Sequence, residues 1–324
     1  MKQFFTVLFG GLAAIIVGIG LSYFGSSGWR AIRPHLTSLH WNSISELAAS
    51  VLAKPTDGTS IYGFTRTIRW SASQEEDSSN VSEMVLTEAG SRKITALAYI
   101  VKDLSSATST IISHNSNQIL PIASLSKLVT AEVARRLIPS STHILLTAAI
   151  MKTYGNTAEF RVGETFTAAD LMYPLLMVSS NDAAEAYAQF YGRSEFIAAM
   201  NDFTQSIGAY RTYFADPSGL SPYNVSTVSD LALIIDWLHK NDPQVISITQ
   251  LKSKTIRNHT FINPTHFLSW SNYAGGKNGY IPEANQTGAS LFTMGKNKDL
   301  YVVVVLGSNY RDGDEAQLLG KIGE

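Results

Sequence analysis

With 324 residues, the chain can bury one substantial core, or two smaller ones, and still carry a tether. Its 25 basic and 26 acidic residues nearly cancel, which argues against a nucleic-acid partner. The chain has no cysteine, which excludes disulfides and thiol catalysis, and its seven histidines are scattered without the spacing of metal ligands, so we expect no metal site.

The first distinctive element is an uncharged apolar run at residues 4–24. As a helix, these 21 residues would rise roughly 31 Å, about the thickness of a bilayer core, which predicts a transmembrane anchor. The alternative is a cleaved signal peptide, because small residues follow at positions 25–28. The run is longer than the apolar region of a typical signal peptide, which favours the anchor.

A mixed segment without sustained periodicity follows the apolar run. Its polar, acidic stretch at residues 71–80 is typical of a flexible linker. The pattern changes near residue 93, where apolar runs at residues 94–101 and 110–113 predict two strands. The predicted organisation is a membrane anchor or signal at residues 1–27, a juxtamembrane segment and linker at 28–92, and a folded domain at 93–324.

The middle of this domain has helical signals. Thr167 with Asp170 and Thr227 with Asp230 have the spacing of capping boxes ahead of apolar positions. Near the end, apolar runs at residues 289–294 and 300–306 flank G-K-N-K-D, which predicts a hairpin. Strands at both ends around a helical middle predict an α+β fold whose sheet is closed by both ends of the domain.

The sharpest local motif is P-I-A-S-L-S-K-L at residues 121–128. Ser124 and Lys127, three apart on a helix, share one face, so the lysine can act as the base for a serine nucleophile. At a helix N-terminus the serine also meets outward-pointing backbone N–H groups, which favour developing negative charge. As a base, Lys127 needs a pKa below about 10.4. The competing interpretation is an ordinary helix start.

Two further segments carry polar groups suited to such a site. Ser179 and Asn181 lie between two predicted helices, where the serine can pass a proton to a leaving amine and the asparagine can hold a carbonyl or Lys127. Either Ser180 or Asn181 could instead simply cap a helix. Lys277, beside Asn278 and Gly279, can bind a carboxylate, although Asn-Gly is also a strong hairpin signal.

Together, S-x-x-K, S-x-N and K-x-G in this order form a set that resembles the serine β-lactamases and penicillin-binding proteins. The segments at residues 120–127, 179–184 and 216–221 resemble the D-alanyl-D-alanine carboxypeptidase branch, the low-molecular-mass penicillin-binding proteins. The resemblance covers residues 93–318. It implies a five-stranded antiparallel sheet flanked by helices, with an all-α subdomain, behind an N-terminal transmembrane helix.

The resemblance also implies a function. The expected activity is serine-type D-Ala-D-Ala carboxypeptidase, which trims peptidoglycan stem peptides through an acyl-enzyme on Ser124, without metal or cofactor and with β-lactams as covalent inhibitors. The implied catalytic residues are Ser124, Lys127 and Ser179, and the implied substrate-binding residues are Asn181, Lys277, Asn278, Gly279 and Tyr280. The backbone N–H groups of Ser124 and Tyr280 would form the oxyanion hole. The expected location is the outer face of a bacterial cell membrane.

One residue departs from the family pattern. Asn278 stands where the family usually has threonine or serine, so that carboxylate binding by its side chain would differ in reach and direction. Two other functions stay open on sequence alone. A β-lactamase would need a carboxylate for the deacylating water, and Glu164 is one of several candidates. A non-catalytic β-lactam sensor or peptidoglycan-binding domain would keep the fold without the activity.

Overall fold

The computed structural model describes residues 93–105 and 109–322. Within them the strands, in chain order, are β1 (Ala98–Asp103), β2 (Thr110–His114), β3 (Leu120–Pro121), β4 (His143–Leu145), β5 (Thr165–Thr167), β6 (Val225–Ser226), β7 (Ser253–Ile256), β8 (His259–Ile262), β9 (Tyr273–Ile281), β10 (Asn285–Met294) and β11 (Asp299–Ser308). The helices are α1 (Ser126–Leu137), α2 (Ala168–Met177), α3 (Asn181–Tyr191), α4 (Arg193–Ser206), α5 (Val228–Asn241), α6 (Pro243–Thr249) and α7 (Arg311–Gly320).

Strands from both ends of the domain form one antiparallel sheet. Its order in the described residues is β2-β1-β11-β10-β9, and Val101 of β1 lies opposite Val303 of β11. The hairpin predicted near the end of the chain is β10 followed by β11, with Met294 opposite Asp299. The expectation of an antiparallel five-stranded sheet closed by both ends of the domain is confirmed.

The two faces of the sheet bury different sets of side chains. The front face contributes Ile100, Val302 and Val304 to the main core, which it shares with α1 and α5. The back face contributes Val303 and Phe292 to a second cluster that α7 covers. This alternation follows from the period of two in a strand, which sends neighbouring residues to opposite faces.

Helix starts follow the capping signals. The Thr167 hydroxyl accepts a hydrogen bond from the backbone N–H of Asp170 at 3.1 Å, and the Thr227 hydroxyl accepts one from that of Asp230 at 3.0 Å. Both capping predictions are therefore confirmed for the threonine. Pro174 lies within α2 without ending it.

The part of the domain between β2 and β9 is not purely helical. Among the described residues it contains three two-stranded sheets, formed by β3 with β6, β4 with β5, and β7 with β8. The expectation of an all-α subdomain is therefore wrong for this part of the domain. These strands are two to four residues long, and β3 and β6 are distant in sequence, so local patterns do not reveal them.

The predicted transmembrane helix and linker lie outside the described residues. Among the residues that the structure does describe, no helix has both the length and the apolar character needed to cross a bilayer.

Candidate active site

Ser124 lies in a tight turn between β3 and α1. The turn is a 3-10 helix, Ala123–Leu125, and α1 begins only after it. The sequence predicts Ser124 on the same helix as Lys127, whereas the structure places the serine in the turn before that helix. Ala123 has a left-handed backbone with φ of 49°, and its carbonyl accepts a hydrogen bond from the Ser126 hydroxyl at 2.8 Å. A Cβ at position 219 would meet the same carbonyl at 1.9 Å, which requires Gly219 there. The turn is thereby held from two sides.

Lys127 is fully buried beneath Ser124. Its Nζ lies 3.0 Å from Ser124 Oγ and 2.7 Å from Asn181 Oδ1. It also donates to the carbonyl of Ser218 at 2.5 Å. Burial lowers the pKa of Lys127 from 10.5 to about 7, against the opposing effect of the Asp216 carboxylate. A large fraction of this lysine is therefore neutral, and able to accept a proton, at neutral pH.

The loop that carries Ser218 was not assigned a role from sequence. The Asp216 carboxylate accepts hydrogen bonds from the backbone N–H groups of Ser218, Gly219 and Ser221, at 2.6, 2.7 and 2.6 Å. This network aims the Ser218 carbonyl at Lys127. The D-P-S-G sequence is a turn signature that could have located the loop, although it says nothing of the lysine.

In the second segment, one side chain caps the helix and a different one faces Lys127. Ser180 caps α3, because its hydroxyl accepts from the backbone N–H of Ala183 at 3.1 Å. Asn181 is thereby free to face Lys127, and its Nδ2 donates to the carbonyl of Tyr154 at 2.7 Å. Ser179 has a left-handed φ of 59°, and its buried hydroxyl has no hydrogen-bond partner among the described residues. Strained backbone of this kind concentrates at functional sites.

The third segment lies inside strand β9, which excludes the hairpin-turn interpretation of Asn278-Gly279. A Cβ at position 279 would lie 2.7 Å from the backbone nitrogen of Ser124, so the glycine lets the strand pass directly beside Ser124. Tyr280 follows, with its side chain exposed.

Lys277 is buried on the same strand. Its Nζ donates to the carbonyl of Asn278 at 2.7 Å and lies 3.4 Å from that residue's Oδ1. Burial holds the pKa of Lys277 well below its usual value, and the positive charges of Lys127 and Arg311 lower it further.

The structure thus brings Ser124, Lys127, Asn181 and Gly279 into direct proximity. Ser179, Asn278 and Tyr280 lie on the adjoining segments, and within the described residues none of them forms a hydrogen bond with Ser124 or Lys127. The arrangement couples a hydroxyl to a buried amine of lowered pKa, beside the N-terminal turn of a helix. Such a pair can generate an alkoxide and transfer an acyl group.

Comparison with known proteins identifies a family and individual proteins to which this chain is similar. A family model described as D-alanyl-D-alanine carboxypeptidase matches residues 82–309. A D-alanyl-D-alanine endopeptidase of Escherichia coli is 32% identical over 191 residues, which cover 57% of this chain and 60% of the relative. A D-alanyl-D-alanine carboxypeptidase of Mycobacterium tuberculosis is 29% identical over 201 residues, covering 59% and 68%. The chain therefore spans somewhat less than two thirds of the E. coli relative's length.

Solved structures share the fold. The crystal structure of a D-alanyl-D-alanine carboxypeptidase from M. tuberculosis aligns with a TM-score of 0.64 and 27% identity, covering 71% of this chain and 93% of that one.

Proposed function

The chain belongs to the D-alanyl-D-alanine carboxypeptidase family, and from this premise we propose that it is a serine-type D-Ala-D-Ala carboxypeptidase. Its substrate would be the D-Ala-D-Ala end of peptidoglycan stem peptides, cleaved through an acyl-enzyme on Ser124. The observation that carries the proposal is the 3.0 Å contact between Ser124 Oγ and the buried Nζ of Lys127.

In the first step, neutral Lys127 takes the proton of the Ser124 hydroxyl as Oγ attacks the carbonyl carbon of the penultimate D-alanine. The fully buried position of the lysine supports this role, because burial lowers its pKa and so favours the uncharged amine. The carbonyl electron pair moves to oxygen, and the backbone N–H groups of Ser124 and Tyr280 would stabilise the resulting oxyanion. The proximity of Gly279 to the Ser124 nitrogen supports this pairing.

In the second step, the bond to the terminal D-alanine breaks and its nitrogen needs a proton. Ser179 is suited to relay the proton that Lys127 took from Ser124: its hydroxyl would donate its own proton to the nitrogen and receive the one held by Lys127. Its buried hydroxyl has no other partner among the described residues. Asn181 holds Lys127 and would position the substrate carbonyl as well. Water then hydrolyses the ester and regenerates the free serine.

Substrate binding would fall to strand β9. Lys277 would attract the terminal carboxylate, with Asn278 as a neutral hydrogen-bond donor beside it. Gly279 leaves room for the substrate backbone to approach.

The deciding experiment is intact-protein mass spectrometry after incubation with a β-lactam. We expect one covalent adduct per chain, which Ser124→Ala removes and which Ser140→Ala, an exposed control serine, retains. An adduct that persists in Ser124→Ala would show that Ser124 is not the nucleophile. Complete absence of acylation in the wild type would instead favour a non-catalytic binding domain of the same fold.

A second candidate activity is endopeptidase cleavage of cross-linked peptides, in which the leaving amine belongs to the side chain of a neighbouring stem peptide. The observation that favours this activity is that the E. coli relative is named a D-alanyl-D-alanine endopeptidase. Parallel kcat/KM measurements on a D-Ala-D-Ala pentapeptide and on a cross-linked muropeptide dimer separate the two. A preference for the dimer would support the endopeptidase.

The β-lactamase alternative has less support, because its candidate carboxylate already has hydrogen-bond partners. Glu164, its candidate carboxylate, accepts hydrogen bonds from His259 at 3.0 Å and from the Arg161 backbone at 2.8 Å. Burial opposes ionisation of Glu164, but these partners outweigh it and lower its pKa. Slow recovery of the free enzyme from the β-lactam adduct would distinguish a carboxypeptidase from a β-lactamase, which recovers rapidly.

For location, we propose tethering by the apolar N-terminal segment, with the catalytic domain on the outer face of the cell membrane. Peptidoglycan, the proposed substrate, lies on that side.

A further inference from the structure

A buried carboxyl group lies on the back face of the sheet, away from the candidate site. Glu315 of α7 is fully buried, and its Oε2 accepts a hydrogen bond from the Ser290 hydroxyl at 2.8 Å. Its Oε1 is also buried and has no hydrogen-bond partner among the described residues. An anion in this position is unfavourable, and burial raises the pKa of Glu315 from 4.5 to about 8.

The space that Glu315 fills is provided by a glycine of β10. A Cβ at position 288 would lie 2.0 Å from Glu315 Oε1 and 2.6 Å from Cδ of Arg311, so no side chain fits there, and Glu315 shares this space with the aliphatic part of Arg311. Gly288 lies opposite Asn278 in the pairing of β10 with β9, and its neighbour Ala289 lies opposite Lys277. The carboxyl group therefore abuts β10 directly across from the substrate-binding part of β9.

On the front face, the same stretch of β10 holds the nucleophile turn. Thr287, the residue before Gly288, donates its hydroxyl hydrogen to the carbonyl of Ile122 at 3.0 Å. Its Oγ1 lies 2.7 Å from the position of a Cβ on Gly279, at the same distance as the backbone nitrogen of Ser124. A displacement of β10 at position 288 would be transmitted through Thr287 to the turn that carries the nucleophile.

The groups around Glu315 stabilise its ionised form only weakly. Arg311 of α7 attracts the negative charge, but its Nε already donates to Asp312 at 2.7 Å. Asp312 and Asp314 of the same helix repel the charge, and Tyr273 of β9 is a buried neutral phenol whose own pKa is raised first by burial and then by Glu315. Burial dominates this balance, so ionisation requires water or movement of β10 relative to α7.

We propose that Glu315 is a positioning residue for the candidate active site: its neutral form fills the space behind Gly288 and keeps β10 against the nucleophile turn, whereas its ionised form displaces β10 and slows acylation of Ser124. The mechanism is a proton-controlled change of packing on the face opposite the chemistry. It rests on the proposed function, since acylation is the readout.

The test is the second-order rate of acylation by a fluorescent penicillin between pH 6 and 10. In the wild type we expect the rate to fall about tenfold per pH unit above about 8, because the competent form is lost in proportion to proton loss. Glu315→Gln cannot ionise and should keep a level rate up to pH 10. Glu283→Gln, the matched change at an exposed glutamate in the turn between β9 and β10, should retain the fall.

A second variant keeps the test decisive if Glu315→Gln does not fold. The Ser290 hydroxyl favours the ionised carboxylate, so Ser290→Ala should move the fall in rate to higher pH. A fall that persists unchanged in Glu315→Gln, or in Ser290→Ala where only that variant folds, would overturn the proposal. Failure of the proposed function is distinguishable, because it would abolish acylation at every pH in the wild type.

Thermal unfolding supplies an independent measurement. The folded state retains a proton on Glu315 between about pH 4.5 and 8, where the unfolded state has lost it. Stability contributed by this group should therefore decline as pH rises through that window and level off above it. Glu315→Gln should remove the decline. An identical pH dependence of Tm in both proteins would show that Glu315 does not titrate as proposed.

Discussion

The base strength of Lys127 can be tested by its effect on the pH dependence of acylation. A lysine with the ordinary pKa of 10.5 is neutral in roughly one molecule in 3,000 at pH 7. With its pKa lowered to about 7 by burial, about half of Lys127 is neutral at that pH. Its fully buried position thus enlarges the population able to accept the Ser124 proton by roughly a thousandfold.

The assay is the rate of acylation by a fluorescent penicillin between pH 5 and 7.5. We expect the wild-type rate to fall about tenfold per pH unit below about 7, because protonated Lys127 cannot act as a base. Lys127→Ala should be slower by about 10²–10⁴ near pH 7 and should lack this fall. Lys296→Ala, at an exposed lysine in the turn between β10 and β11, should behave as wild type.

Circular dichroism must show that Lys127→Ala is folded. A wild-type rate that stays level down to pH 5 would refute the reasoning, since the buried amine would then not control the reaction. So would a fall that persists in Lys127→Ala, because another group would have to carry it.

Three further predictions concern strand β9 and the tether. Gly279→Ala should slow acylation at least about a hundredfold, because its Cβ would lie 2.7 Å from the nucleophile's nitrogen, whereas Gly320→Ala, with open space around it, should change nothing; equal rates in both would remove the close-approach argument. Lys277→Ala should lower kcat/KM for D-Ala-D-Ala peptides by roughly ten- to a hundredfold, and Asn278→Thr should leave it equal or raise it; an unchanged kcat/KM in Lys277→Ala would show that the lysine does not bind the carboxylate. Deleting residues 1–28 should release an active, soluble protein, and if it still pellets with membranes, residues 29–52 become the suspected anchor.

Much of the site follows from local sequence because its parts are local. The spacing of Ser124 and Lys127 brings their side chains together across one turn, here a 3-10 turn that leads into α1, whether or not the rest of the fold is known. Likewise, the threonines that cap α2 and α5 bond to N–H groups three residues away. Interactions over such short separations leave readable patterns.

Other parts depend on partners that local sequence does not specify. The third acceptor of Lys127 is a backbone carbonyl, that of Ser218, and a carbonyl leaves no side-chain signature. Asn278-Gly279 has the composition of a turn, yet pairing with β10 makes it a strand, because tertiary context overrides weak strand propensity. For the same reason, the contact between Glu315 and Gly288 emerges only when α7 is docked on the sheet.

The pairing of β1 with β11 also determines when the central sheet can form during synthesis. Val101 must wait for Val303, about 200 residues later, before the central ladder can form. A ribosome adding about 5–20 residues per second needs roughly ten to forty seconds for that stretch, and strand pairing over such distances is slow. The hydrogen bond from Thr287 to the Ile122 carbonyl, just before Ser124, likewise joins residues 165 positions apart in the chain. The central sheet and the turn before Ser124 are therefore completed only after most of the described residues have been synthesised.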